Sequence, residues 1–227
     1  MDIAHIIQTV LIYALPVLFA ITVHEAAHGY AAKHFGDNTA YALGRITLNP
    51  IKHIDPIGTI LMPLMLYFAT GGSFLFGYAK PVPVRFGNLR NPKRDMVWVA
   101  LAGPGANLIQ ALVWGAALLV LNGMQVDEVF FRKMCEAGVL VNVVMCVFNL
   151  FPMPPLDGGR ILVGLLPYKQ AELVSRVEPF GFYIVMALVL VKVAGNSILG
   201  LVWMQPLMSL TYSFLDLVLT PLRYLVK

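Results

Sequence analysis

His24, Glu25, Ala26, Ala27 and His28 spell H-E-x-x-H within an apolar stretch. Four residues advance a helix by about 400°, so both imidazoles leave one face and are placed to bind a single zinc ion. Glu25 sits where it could take a proton from an attacking water. A glutamate and two histidines are costly inside an apolar span and usually serve a site. Packing as polar residues between helices is the plainer alternative.

A catalytic zinc takes a third protein ligand and keeps one position open. Asp157 is the best candidate. It follows an apolar span, stands just after Pro152, Pro154 and Pro155, and precedes Gly158 and Gly159, which let backbones approach closely. His53, Asp55 and Asp37 are rivals, and a cap for the segment Gly158 to Leu165 is the plainer role for Asp157.

The elements that must position these residues are apolar. Of 227 residues, 59% are hydrophobic and 12% are Asp, Glu, Lys or Arg, which excludes a water-soluble globule. Runs without any of these charges, 56–79, 96–126, 137–156 and 193–215, mostly reach the roughly 20 residues of a membrane span. The expected fold is an α-helical polytopic membrane protein with about five spanning helices, a re-entrant hairpin and a short edge strand. The spans fall at 3–32, 96–121, 134–151, 179–194 and 197–219. Pro16 is placed to kink the first, which is too long for a removable signal peptide. The whole of 1–227 reads as one integral-membrane domain, with a catalytic core at about 4–165, C-terminal membrane segments at about 179–222, and no room for a sizeable soluble module.

Residues 56–70 are short for a crossing, and a hairpin over 56–79 explains the charges better. It places thirteen of the sixteen Lys and Arg on one side and three on the other, and the basic side is cytoplasmic. The net charge of +4 is spread over short loops, so it speaks of orientation and not of nucleic acid. Cys135 and Cys146 are too far apart on one helix to bond.

Lys80-Pro81-Val82-Pro83-Val84-Arg85 reads as an edge strand. Pro81 and Pro83 remove donors from one edge, while Val82 and Val84 keep theirs on the other, open to an unwound substrate by strand addition. A Pro-stiffened loop is the competing reading.

His24-Glu25-x-x-His28 together with Asn149-x-x-Pro152-x-x-x-x-Asp157-Gly158 resembles the site-2 protease family of intramembrane zinc metalloproteases. Ala102-Gly103-Pro104-Gly105-Ala106-Asn107 and the stretch Gly44 to Asp55 add to the resemblance, which covers residues 24–160 and suggests the short bacterial branch without PDZ or CBS domains. It implies one zinc per chain held by His24, His28 and Asp157, Glu25 as general base, and Asn149 near the substrate. Asn107 reads as helix packing. The implied activity is hydrolysis of peptide bonds in or near transmembrane segments of membrane proteins, in a bacterial cytoplasmic membrane, with the site towards the cytoplasm. A divalent-ion transporter and an inactive binding homologue are the alternatives. The first is opposed by the lack of internal repeats, the second by Glu25, which a structural zinc site does not need.

Overall fold

The computed structural model describes residues 3–62, 65, 77–193 and 195–226. Helix α1, Ile3–His34, runs unbroken through Pro16 and ends with Lys33 and His34 in its last turn, where cations complement the helix dipole. Gly36, at φ 112°, turns the chain out of it. A four-residue helix α2, Thr39–Ala42, follows. A 3-10 turn comes next, Pro50–His53, capped by Asn49, and then a π-helical turn, Pro56–Leu61, capped by Asp55, whose carboxylate accepts from the N–H groups of Ile57 and Gly58.

After a 3-10 turn at Phe86–Asn88, helix α3 spans Pro92–Gly123, with Pro92 at its first position, where no N–H is needed. Helix α4 is Val129–Asn149, and α5, Asp157–Leu165, starts after the proline-rich segment. Then come α6, Tyr168–Ser175, α7, Glu178–Leu190, the antiparallel pair β1, Lys192–Val193, and β2, Asn196–Ser197, and α8, Gln205–Leu225. Helices α1, α3 and α4 pack against one another, α5 lies on α3, and α8 covers α3 and α4. Ala111, Val143, Val147 and Leu215 form the core where α8 joins the bundle, and Trp203 Nε1 donates to the Val147 carbonyl there.

Among the described residues, two helical stretches are by length and composition fit to cross a membrane, Ile7–His34 and Pro92–Gly123, and a third if the bent pair α6 and α7 counts as one. The chain is thus a helical membrane protein with fewer qualifying spans than the sequence predicts. The reason lies in the helices themselves: α4 carries Arg132, Lys133 and Glu136 in its first half, and α7 has only 13 residues. Much of the expected hairpin lies outside the described residues. Its two ends meet: Tyr78 N–H donates to the Gly58 carbonyl (3.0 Å), and Thr59 Oγ1 donates to that of Tyr78 (2.8 Å).

Among the described residues the expected edge strand over 80–85 has no strand partner, and β1 and β2 are the only strands. Two proline residues remove donors that a ladder would need. The segment is held by the bond from Lys80 N–H to the His53 carbonyl (2.9 Å) and by side chains. Arg45 donates to the carbonyls of Lys80 and Pro81, and Asp37 accepts from Arg85 N–H (2.7 Å). Val84 and Phe86 pack on the core of Ala32, Leu89, Met96 and Val99. Cys135 and Cys146 are buried free thiols.

Candidate metal centre

One turn of α1 brings His24 and His28 together, with Nε2 to Nε2 3.0 Å and the rings edge-on. The carboxylate of Asp157 closes the third side: Oδ2 lies 3.3 Å from His24 Nε2, and Oδ1 3.3 Å from His28 Nε2. One ligand atom from each of the three residues lies within 4.8 Å of the others.

Asp157 does not cap α5. It is the first helical residue, Leu156 precedes it as cap without a side-chain bond, and the buried Oδ2 has no hydrogen-bond partner among the described residues. Gly158 and Gly159 make this position reachable. A Cβ on Gly158 would strike the carbonyl of Leu150, and one on Gly159 the nitrogen of Pro154, so only glycine lets α5 start against the end of α4. On the opposite side Gly103 of α3 faces the imidazoles, where a Cβ would collide with His28 Nε2 and His24 Cε1.

This donor set fits a zinc ion. His28 Nδ1 is 2.8 Å from the Val99 carbonyl and His24 Nδ1 is 2.6 Å from Asn107 Oδ1. Both partners only accept, so each Nδ1 carries the proton and each neutral ring presents a bare Nε2. Two lone pairs 3.0 Å apart beside a carboxylate repel one another until a proton or metal cation sits among them. Two imidazoles, a carboxylate and buried surroundings suit zinc.

Glu25 points to the 80–85 segment, where its Oε2 accepts from Val82 N–H at 2.7 Å. The sequence leaves Val82 and Val84 as free donors. The structure ties up the first, with Val82 buried, while Val84 N–H has no partner among the described residues. Asn149 is half-buried at the end of α4 and donates to the Met145 carbonyl of its own helix (2.9 Å).

The rival ligands are all elsewhere. His53 Nε2 bonds the Thr47 carbonyl and Asp55 caps the Pro56–Leu61 turn. Asp37 accepts from Thr39, Arg85 and Asn88. Burial alone would raise the Asp37 pKa, but these donors outweigh it and hold the carboxyl below its ordinary value.

Asn107 packs between helices as the sequence suggests, bonding the Ala20 carbonyl and Asn142. It also bonds a candidate metal ligand, because Gly103, one turn earlier on α3, lets α1 approach closely. Asn142, in contact with Asn107, escaped attention altogether. The signal was present in both: an amide inside an apolar span needs a partner of its own.

A model of peptidase family M50 matches residues 127–192. The Bacillus subtilis protein YwhC, provisionally named a zinc metalloprotease, is 39% identical over 180 residues, covering 77% of this chain and 78% of its own. Rip2 of Mycolicibacterium smegmatis, provisionally named likewise, is 32% identical over 190 residues, covering 82% and 69%. The zinc metalloprotease MJ0392 of Methanocaldococcus jannaschii is 24% identical over 156 residues, 69% of this chain and 34% of its own. No solved structure gives a significant match. The likeness to YwhC extends over most of both chains, well beyond the short motifs, and by it this chain belongs to peptidase family M50.

Proposed function

We propose that this metalloprotease is a zinc-dependent intramembrane endopeptidase that hydrolyses peptide bonds within or near the transmembrane segments of other membrane proteins. One observation carries the reading: His24, His28 and Asp157 converge within 4.8 Å, and two of them stand on a helix long and apolar enough to cross a membrane. These residues would hold one zinc ion per chain, which would supply Lewis acidity at the scissile carbonyl and at the attacking water. Glu25 takes that water's proton and delivers it to the departing amine. Asn149 donates its amide to the substrate backbone or to the developing oxyanion after turning away from Met145.

A transmembrane substrate hides its peptide bonds in internal hydrogen bonds, so it must be held unwound while they are replaced. Val82 and Val84 line that track, with the Val84 N–H, which has no partner among the described residues, and the Val82 carbonyl as pairing groups. The chain forms one membrane domain over 1–227 with its catalytic core at about 4–165. About five helices cross, and 56–79 enters and returns on one side. The hydrogen-bonded ends of that segment and the thirteen-to-three division of basic residues support this path. It sets the protein in the cell membrane with the site towards the cytoplasm.

Purified protein given a single-span membrane substrate tests the reading. Glu25→Gln should retain zinc and lose cleavage by roughly 10²–10⁴-fold. Equal cleavage by both proteins would remove the enzyme assignment to this site.

A further inference from the structure

We propose that Asn107 and Asn142 are positioning residues of the metal centre: an amide relay that keeps the His24 proton on Nδ1 and leaves Nε2 free to bind metal. The proposal rests on the zinc reading above and extends it to residues outside the H-E-x-x-H and Asp157 motifs.

The two histidines are oriented by different means. His28 Nδ1 meets a backbone carbonyl, Val99, which no side-chain substitution removes. His24 Nδ1 meets the side-chain oxygen of Asn107 at 2.6 Å. An amide has an oxygen end and an NH₂ end, and only the oxygen can accept from an imidazole N–H. Which end faces His24 must therefore be decided by the other neighbours of Asn107.

Those neighbours leave one answer. Asn107 Nδ2 donates to the Ala20 carbonyl (3.1 Å) and to Asn142 Oδ1 (2.9 Å). Asn142 is itself fixed, because its Nδ2 donates to the Gly138 carbonyl at 2.9 Å. The order therefore runs one way, from Gly138 on α4 through Asn142 and Asn107 to His24 on α1. Turning Asn107 over would set its oxygen against two acceptors and its NH₂ against the imidazole N–H. Asn107 and Asn142 are both 0% exposed, so bulk water does not reach them to relieve such a mismatch, and unmet buried polar groups are costly. Asn142 thus acts on His24 without touching it.

The test compares parent, Asn107→Leu and Asn142→Leu in detergent micelles by two readouts. The first is the zinc dissociation constant, from competition with a chromophoric chelator. The second is ¹⁵N NMR of the ring nitrogens in zinc-free protein, which reports each tautomer. Asn107→Leu should weaken zinc binding roughly 10–100-fold, the scale of outer-sphere partners of metal-bound histidines, and Asn142→Leu should weaken it less. In both, His24 should populate the Nε2–H tautomer while His28 keeps Nδ1–H. Should Asn107→Leu fail to fold, Asn142→Leu carries the same selective signature. Parent-like zinc affinity with an unchanged His24 tautomer in a folded variant overturns the relay. Equal disturbance of both histidines overturns it too, since general loosening would do that. If the parent binds no zinc, or His24→Ala binds it as well as the parent, the metal reading fails instead, and the metal-free tautomer signature still decides the relay.

Discussion

The backbone N–H of Val82 donates to Oε2 of Glu25 at 2.7 Å, tying the glutamate of the H-E-x-x-H turn to a segment 57 residues further along the chain. Pro81 and Pro83 have no N–H, so Val82 is the one donor that this stretch can offer at that point. A hydrogen bond to an ionised carboxylate is among the stronger kinds, and here it sets the direction in which Glu25 points. Val82→Pro deletes it. The variant should keep its zinc and lose cleavage on the order of 10–100-fold, the worth of one charge-assisted bond. Metal content and cleavage rate, measured on one preparation, check this; an unchanged rate would separate Glu25 from the Val82 contact.

Zinc stoichiometry should follow the proposed ligand set. His24→Ala and His28→Ala should each lose the metal, and Asp157→Ala should bind it at least 10-fold more weakly. Stripping zinc with a chelator should abolish cleavage by the parent and adding it back should restore it. Full zinc occupancy in Asp157→Ala would move the third ligand to another residue.

Gly103 and Gly105 provide a matched pair on one helix. A Cβ at Gly103 meets both imidazoles, whereas at Gly105 nothing lies within 4 Å. Gly103→Ala should therefore weaken zinc binding by more than 10-fold, roughly the scale of outer-sphere disturbances, while Gly105→Ala leaves it unchanged. Alanine favours helix over glycine by about 1 kcal/mol, so any loss at Gly103 runs against propensity. Equal zinc affinity in the two variants would remove Gly103 from the site.

Asp37 ties the end of α1 to the segment that carries Val82, through Arg85 N–H and Asn88. Its folded pKa lies below the ordinary value of 3.8. The charged form is therefore favoured in the folded protein, and its stabilisation is present above the unfolded pKa and lost as pH falls through the folded one. Asp37→Asn should be less stable than the parent at pH 7, by about 1–3 kcal/mol for a hydrogen-bonded charge. The gap should narrow below the ordinary carboxylate value. Thermal unfolding in detergent at pH 7 and at acid pH checks it, and a gap that widens on acidification contradicts the assignment.

Membrane orientation is open to labelling. Single cysteines at the exposed positions Asn38, Asn91 and Lys169, with Cys135 and Cys146 removed, should all react from the cytoplasmic side, and one at Asp127 only from outside. Opposite labelling of Asn38 and Asn91 would contradict the proposed path, in which 56–79 enters and leaves on one side.

The sequence by itself determined what depends on local spacing. His24 and His28 meet because residues four apart share a helix face, and Asp157 stands free at a helix start because prolines end α4 and two glycines admit α5. Apolar runs marked a helical membrane chain, and α4 ended just before the expected prolines. What only the tertiary structure decided are the contacts between distant segments. The Val99 carbonyl and Asn107 reach the imidazoles from 71 and 83 residues away, and no periodicity announces such a pairing. The same holds for Val82, which sequence pattern presented as a free strand edge and the fold turned onto Glu25. Local rules say which face a side chain leaves by. Which group waits there is set by helix packing, and at this site that packing depends on a missing Cβ at Gly103 and on two buried amides that bond each other.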